Sequence, residues 1–146
     1  MKAHHKQFLK QLRHDDIVAA IHAAETKTSG EIRVFVTQHR PEAVVAAAQR
    51  EFERLGMTQT KHRNGVLIYV APGSRQFAVL GDAGVHQHCG DSFWQEVAGE
   101  MAEYFKQGDF SAALIHGIQK AGALLAAHFP PGAEDGNELP DEIAHD

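Results

Sequence analysis

The sequence predicts a small α/β layered sandwich in which about four helices cover a three-stranded mixed sheet. Short runs rich in β-branched residues alternate with longer segments whose apolar residues recur with the period of a helix. A helical segment separates the first two predicted strands, whereas only a short turn separates the second from the third. With 146 residues, the chain is long enough for one domain whose core needs no disulfide or metal.

The first predicted helix lies between Asp15 and Glu25, where apolar residues recur at positions i, i+3, i+4 and i+7. Asp15 or Asp16 can cap its start, and the small and β-branched residues of 26–30 end it. Residues 31–37 (EIRVFVT) alternate and are rich in β-branched types, which predicts the first strand.

A second helix and a hairpin complete the predicted sheet. The second helix opens at Pro41 and ends at Gly56. Residues 66–70 (VLIYV) form an uninterrupted apolar run, which is typical of a fully buried strand. The turn at 71–74 then returns the chain into a third, antiparallel strand at 75–80. Because a helix connects the first two strands, we expect them to run parallel, and a fourth short strand could extend the sheet.

Two further helices follow the hairpin. Asp91 begins the third and Gly108 ends it. Asp109 or Ser111 begins the fourth, which runs to the prolines at 130–131.

The predicted domain spans residues 15–131, between a basic lead-in of residues 1–14 and an acidic tail of residues 132–146. The tail holds six of the 19 acidic residues and no Lys or Arg, which leaves a nearly neutral body. Because the tail lacks apolar periodicity, we expect it to be disordered. The chain has no basic face with interleaved aromatic residues, so we do not expect nucleic-acid binding.

No apolar stretch of the sequence approaches the roughly 20 residues of a membrane helix, so we expect no membrane span. No apolar segment follows the basic residues at the start, as it would in a secretory signal, and we expect a cytoplasmic protein. The single cysteine, Cys89, excludes an internal disulfide. The sequence leaves the oligomeric state open.

The predicted topology brings four polar residues to one edge of the sheet. Glu31 and Asn64 precede the two parallel strands, and Asp82 follows the antiparallel one, so all three reach the same end. The chain then reaches Asp91. Carboxylate, amide and carbonyl oxygens are the ligands that Ca²⁺ and Mg²⁺ prefer, which predicts a divalent-cation site there. Such an ion could hold the oxygen of a phosphate ester or polarise water.

Asp82 is the preferred ligand, because Gly81 and Gly84 leave room for the backbone to approach a bound group. Each residue also has a purely structural interpretation. Asn-Gly and Gly-Asp are common turn dipeptides, Asp91 is a favourable helix cap, and Glu31 could be solvated at a strand start.

Histidines near this edge suggest two further roles. His86 could act as a general acid near neutral pH. His86, His88 and Cys89 alternate nitrogen and sulfur donors, but no second ligand pair accompanies them, which disfavours a zinc site.

The motifs at these positions resemble the TPM domain family over residues 15–130. The resemblance is carried by residues 24–34 (AETKTSGEIRV), 55–58 (LGMT), 63–70 (RNGVLIYV), 75–84 (RQFAVLGDAG) and 105–110 (FKQGDF). It implies an α/β sandwich of the short, stand-alone bacterial type. Relatives include a thylakoid-lumen acid phosphatase of photosystem II repair and bacterial members that bind divalent metal ions.

The chain departs from longer members of that family after the third strand. Those members continue with Gly-Tyr-Gly-Leu-Glu and then an Asp, whereas this chain places His86 in that region. The resemblance offers Asp82 and Asp91 as the oxygen ligands.

Two functions are therefore expected. The first is a cation-binding domain that acts as a metal-assisted phosphoesterase, with Asp82 and His86 as catalytic residues. The alternative is a non-enzymatic module that binds a protein partner through a sheet edge and the acidic tail.

Overall fold

The computed structural model describes residues 2–131 and 141–146, with side chains described from residue 6 onward. Within these ranges the elements are α1 (Lys2–Gln11), α2 (His14–Glu25), β1 (Glu31–Val36), α3 (Val44–Arg54), β2 (Gly65–Ala71), β3 (Gln76–Gly81), α4 (Ala83–Lys106), α5 (Phe110–His128) and β4 (Ala144–His145). Short 3-10 turns lie at Met57–Gln59 and Pro72–Ser74. The predicted α/β layered sandwich is confirmed.

The sheet has the strand order β3-β2-β1-β4. β1 and β2 are parallel, and β2 and β3 are antiparallel, as predicted. Glu31 lies opposite Gly65, and Val66 lies opposite Gly81. The ends at Glu31, Gly65 and Gly81 therefore share one side of the sheet, here called the polar edge. The opposite side, at Val36, Ala71 and Gln76, is here called the far edge.

The two faces of the sheet pack against different helices. On one face, Ile32, Val34 and Val36 join a large core beneath α2, α4 and α5. On the other face, Phe35 and Leu67 pack beneath α3. Every residue of β2 is buried, because this central strand is covered on both faces, which explains its uninterrupted apolar run. Each large side chain buried in these layers contributes about 1.5–3 kcal/mol.

The N-terminal lead-in is part of the fold. Phe8 on α1 and Leu12 directly after it are buried, and the Phe8 ring lies 4.9 Å from that of Phe110 on α5. The predicted domain boundary at residue 15 leaves out this packed helix. Among the described side chains of this segment, only Phe8, Leu9 and Leu12 pack on the core, which are too few for a recognisable stripe.

The predicted disordered tail is partly ordered. Residues 132–140 lie outside the described residues, but Ala144 and His145 form β4, parallel to β1. The Asp146 carboxylate accepts hydrogen bonds from Thr37 Oγ1 (2.6 Å) and Gln38 N (2.7 Å). The tail orders here because β1 would otherwise expose an edge of unpaired backbone groups.

A helical segment begins directly after Gly90, as predicted at Asp91, but the sequence did not reveal the helical turns from Ala83 that precede it. Helix α4 begins at Ala83, eight residues before Asp91, and its helical geometry is broken at Gly90 (φ 70°, ψ −177°). The positive φ of Gly90 explains why the sequence suggests a helix start immediately after it. The predicted cap at Asp109 is confirmed, since its carboxylate accepts a hydrogen bond from Ala112 N (3.1 Å).

Helix α5 is the one helix among the described residues whose length and composition would suffice to cross a membrane, with 19 residues and a mean hydropathy of 1.2. No membrane-spanning segment is expected there from the sequence. Its residues Leu114, Ile118 and Leu125 are fully buried in the core. The central helix of a compact domain satisfies the same criterion.

Candidate functional site at the polar edge

Asp82 lies where β3 ends and α4 begins. Its backbone N–H donates to Gly65 O (2.9 Å), and its Oδ1 caps α4 by accepting from Ala83 N (2.7 Å). The carboxylate also binds the guanidinium of Arg63 through both oxygens, with Nε–Oδ2 and Nη2–Oδ1 distances of 2.7 Å. The Asp82 side chain is 6% exposed and that of Arg63 is 51% exposed. A buried carboxylate is thus balanced by a cation that faces solvent.

The turn that carries Arg63 is locked against α4. Arg63 adopts the left-handed conformation (φ 51°), and its carbonyl accepts a hydrogen bond from Gly84 N (2.9 Å). A side chain at Gly84 would collide with the carbonyl oxygens of His62 and Arg63, and one at Gly81 would collide with the Trp94 ring. The expectation that these glycines leave room for a ligand is therefore wrong, because the protein itself fills the space.

Asn64 connects this turn to the start of β1. Its backbone carbonyl accepts from Glu31 N (3.3 Å), and its side-chain amide donates to Ser29 Oγ (3.1 Å). The residue is 1% exposed, and its Oδ1 has no hydrogen-bond partner among the described residues. A buried acceptor without a partner is unfavourable, and a bound cation or water could satisfy it.

Glu31 is buried rather than solvated, with 2% of its surface exposed. It lies beside Glu25, whose Oε2 accepts from Ile32 N (2.8 Å). Burial, a hydrogen bond with Asp141 and the neighbouring Glu31 together raise the pKa of Glu25 to about 10. Glu31 therefore belongs to a carboxyl cluster with Glu25 and Asp141, in which burial and the neighbouring carboxyl groups favour the protonated form of Glu25.

His86 and Asp91 lie along the first turns of α4. The backbone N–H of His86 donates to Asp82 O (2.9 Å), which places His86 one helical turn after Asp82. Its Nε2 lies 3.4 Å from Oδ1 of Asp91, whose side chain is 84% exposed beyond the break at Gly90. His88 instead stacks on His128 with a ring separation of 4.2 Å.

The polar edge therefore brings the predicted residues to one side of the sheet but not to one point. Asp82, His86 and Asp91 lie at the start and along the first turns of α4, whereas Glu31 lies in the carboxyl cluster. Asn64 is hydrogen-bonded to Ser29 and Glu31. Across the described ranges 2–131 and 141–146, no three His, Cys, Asp or Glu side chains form a group that could hold a metal ion.

Sequence reasoning missed Arg63, Glu25 and Asp141. Arg63 could have been found, because the topology already placed the turn at 63–65 beside Asp82. Glu25 could also have been found, because it ends a helix only six residues before Glu31, so that the two side chains can lie close together. Asp141 could not be found, because it reaches the cluster only through the pairing of β4 with β1.

Comparison with known proteins identifies similar chains. A family model described as the TPM domain matches residues 3–124. The NMR structure of the BA42 protein from the psychrophilic bacterium Bizionia argentinensis has 41% sequence identity and a TM-score of 0.83, and the match covers 91% of this chain and 92% of that one. The N-terminal domain of a protein from P. gingivalis has 15% identity and a TM-score of 0.65, covers 78% and 76% of the two chains, and shares the fold alone. No curated protein matches.

Proposed function

This chain belongs to the TPM domain family, and from that premise we propose that it binds one divalent cation, Ca²⁺ or Mg²⁺, at the polar edge, with the Asp82 carboxylate as the principal ligand. The observation that carries the proposal is the pairing of a buried carboxylate with the largely exposed guanidinium of Arg63. Because Asp82 is buried, that guanidinium can move into water only when the arriving cation takes over the compensation of the carboxylate charge. Arg63 is then a competitor of the bound cation.

The oxygen groups of the polar edge are of the kind that a hard cation prefers. Asn64 Oδ1 is a buried oxygen without a hydrogen-bond partner among the described residues. One or two carboxylates together with waters is the usual way in which proteins hold Mg²⁺. Asp91 and Glu31 are the further candidate ligands. Asp91 would have to approach the cation from beside His86, and Glu31 from the carboxyl cluster.

We further propose that the site hydrolyses a phosphate ester without a covalent protein intermediate. A cation bound there would hold a phosphate oxygen and polarise the attacking water. His86, one helical turn after Asp82 and 47% exposed at its side chain, would donate a proton to the leaving oxygen. Asp91, 3.4 Å from His86, would orient its ring.

Calorimetric titration with CaCl₂ and MgCl₂ tests the cation. We expect Asp82→Asn to abolish binding while preserving the fold, because Asn is an equally good helix cap. Arg63→Gln should bind the cation several-fold more tightly, since it removes the competitor. Lys61→Gln, an exposed change in the same turn, is the control for net charge. Unchanged binding in Asp82→Asn, or weaker binding in Arg63→Gln, would contradict the assignment.

Turnover of p-nitrophenyl phosphate with added cation tests the chemistry. Activity should disappear in Asp82→Asn and fall strongly in His86→Gln. Activity that persists in Asp82→Asn would belong to a contaminant.

One observation favours the second candidate, a non-enzymatic interaction module. β3 and β4 are the edge strands of the described sheet, and β3, with six residues against two, offers the longer outer edge to a partner strand. Pull-down experiments test this function. The parent protein should recover a specific partner, and Leu80→Lys, which places a charge on that edge strand, should lose it. A partner that both forms recover would bind elsewhere.

A further inference from the structure

A cavity of about 680 Å³ opens at the far edge of the sheet. It lies between α1, the turn that joins β2 to β3, and the ends of α4 and α5 that meet there. Its volume falls within the roughly 300–1,000 Å³ of small-molecule sites. It also lies beside Val70 and Ala71, at the carboxyl end of a parallel strand, where open α/β sheets commonly bind ligands.

Aromatic rings line the interior of this cavity. Phe77 and Phe105 have ring centroids 4.9 Å apart, as do Phe8 and Phe110, and Phe105 lies 6.1 Å from Phe110. The rings come from α1, β3, α4 and α5, so the surface they form exists only in the folded chain. Such a surface favours a flat or extended apolar group.

The mouth of the cavity is positively charged. Arg75 and Lys106 line it together with glutamines, and no Asp or Glu is among the described residues that do so. The Arg75 side chain has no hydrogen bond or ion pair within the described ranges, and Lys106 has only Glu103, at 3.5 Å. Arg75 also adopts the left-handed conformation (φ 54°), with its N–H held by Pro72 O (3.1 Å), which fixes its position in the turn.

We propose that this cavity binds a small amphipathic anion, whose carboxylate or phosphate head lies between Arg75 and Lys106 and whose apolar body lies on the phenylalanines. Charge complementarity selects the head, because two cations border an apolar surface that carries no acidic group. The apolar interior selects the body, because burying it releases water from the rings. The site is independent of the cation proposed at the polar edge, which lies at the other end of the strands.

An NMR titration of the full-length protein with decanoate, kept below its micelle concentration, tests the proposal. We expect saturable shifts at the amides of Phe77 and Phe105 and none at Asn64 or Asp82. Arg75→Gln and Lys106→Gln should each weaken binding roughly fivefold, as for a partly exposed ion pair. Lys61→Gln removes the same charge at the polar edge and should leave binding unchanged. Ala102→Leu, which fills the cavity without changing its charge, should abolish binding.

Matched ligands separate the head from the body. Decanol keeps the chain without the charge, and acetate keeps the charge without the chain, so both should bind much more weakly than decanoate. Decyl phosphate in place of decanoate tells which head the two cations prefer. Equal affinity for decanol and decanoate, unaltered affinity in Arg75→Gln, or shifts that do not saturate would each overturn the proposal.

Discussion

At the polar edge the protein satisfies its own charges, whereas at the far edge it leaves cations beside an aromatic surface. Asp82 is held by Arg63 and by the start of α4, and the space beside its neighbouring glycines is filled by backbone and by Trp94. The cavity at the far edge is open, and Arg75 has no side-chain partner within the described ranges. A ligand at the polar edge must therefore displace a protein group, but a ligand at the far edge finds its space already formed.

The largest expected effect concerns the tight packing of the polar edge. Gly84→Ala should lower the free energy of unfolding by about 3–4 kcal/mol, because its new methyl group meets two backbone carbonyls that cannot move independently. Gly99→Ala lies in the same helix with open space around it, and should stabilise the protein by up to about 1 kcal/mol. Urea unfolding measures both. Similar values for the two variants would show that the polar edge is not tightly packed.

The next effect concerns the cavity. Phe8→Ala should cost about 2–3 kcal/mol, at or below the usual range for a buried phenylalanine, because the adjoining cavity already exists and no closed void is created. Gln7→Ala, an exposed change in the same helix, should have little effect on urea unfolding. A cost well above 4 kcal/mol would indicate that α1 is as tightly packed as the polar edge.

The third prediction concerns the protonated cluster at the polar edge. The folded-state pKa of Glu25, about 10, lies above its ordinary value of 4.5, so the folded protein holds a proton that the unfolded chain releases. The contribution of Glu25 to stability is therefore fully present below pH 4.5 and is lost progressively as the pH rises towards 10.

Glu25→Gln keeps the shape of the protonated group and removes its titration. We expect this variant to be more stable than the parent by about 1 kcal/mol at pH 8, a value reduced for the partial exposure of the group. Its stability should also decline less between pH 6 and pH 9 on this account. Glu53→Gln, at an exposed position, is the control in the same denaturation series. A parent whose stability rises over this pH window would refute a proton on Glu25.

The smallest effect concerns the end of the chain at the far edge. Asp146→Asn should cost about 0.5–1 kcal/mol, because it weakens charge-assisted hydrogen bonds to Thr37 and Gln38. Glu42→Gln, at an exposed position, should be neutral in thermal unfolding. Equal midpoints for these two variants would mean that β4 adds no stability.

The sequence predicts the parts of the fold that depend on local patterns. The central strand at 66–70, the crossover that makes β1 and β2 parallel, and the caps at Gly56 and Asp109 were all correctly identified. α1 and β4 were missed, because each is held by a few tertiary contacts that no local period reveals. The polar edge was located from topology alone, but the ion pair of Asp82 with Arg63 depends on side-chain positions within the turn. The cavity could not be predicted, because its rings come from four separate elements.

Helix α4 connects the two ends of the molecule, since it begins at the polar edge and its last turn borders the cavity. A continuous helix would act as a rigid lever, so that any displacement of Phe105 and Lys106 would be carried to Asp82 and His86. The break at Gly90 divides this lever into two helical arms that meet at a kink. A displacement at one end therefore has no unbroken helical path to the other end of the sheet.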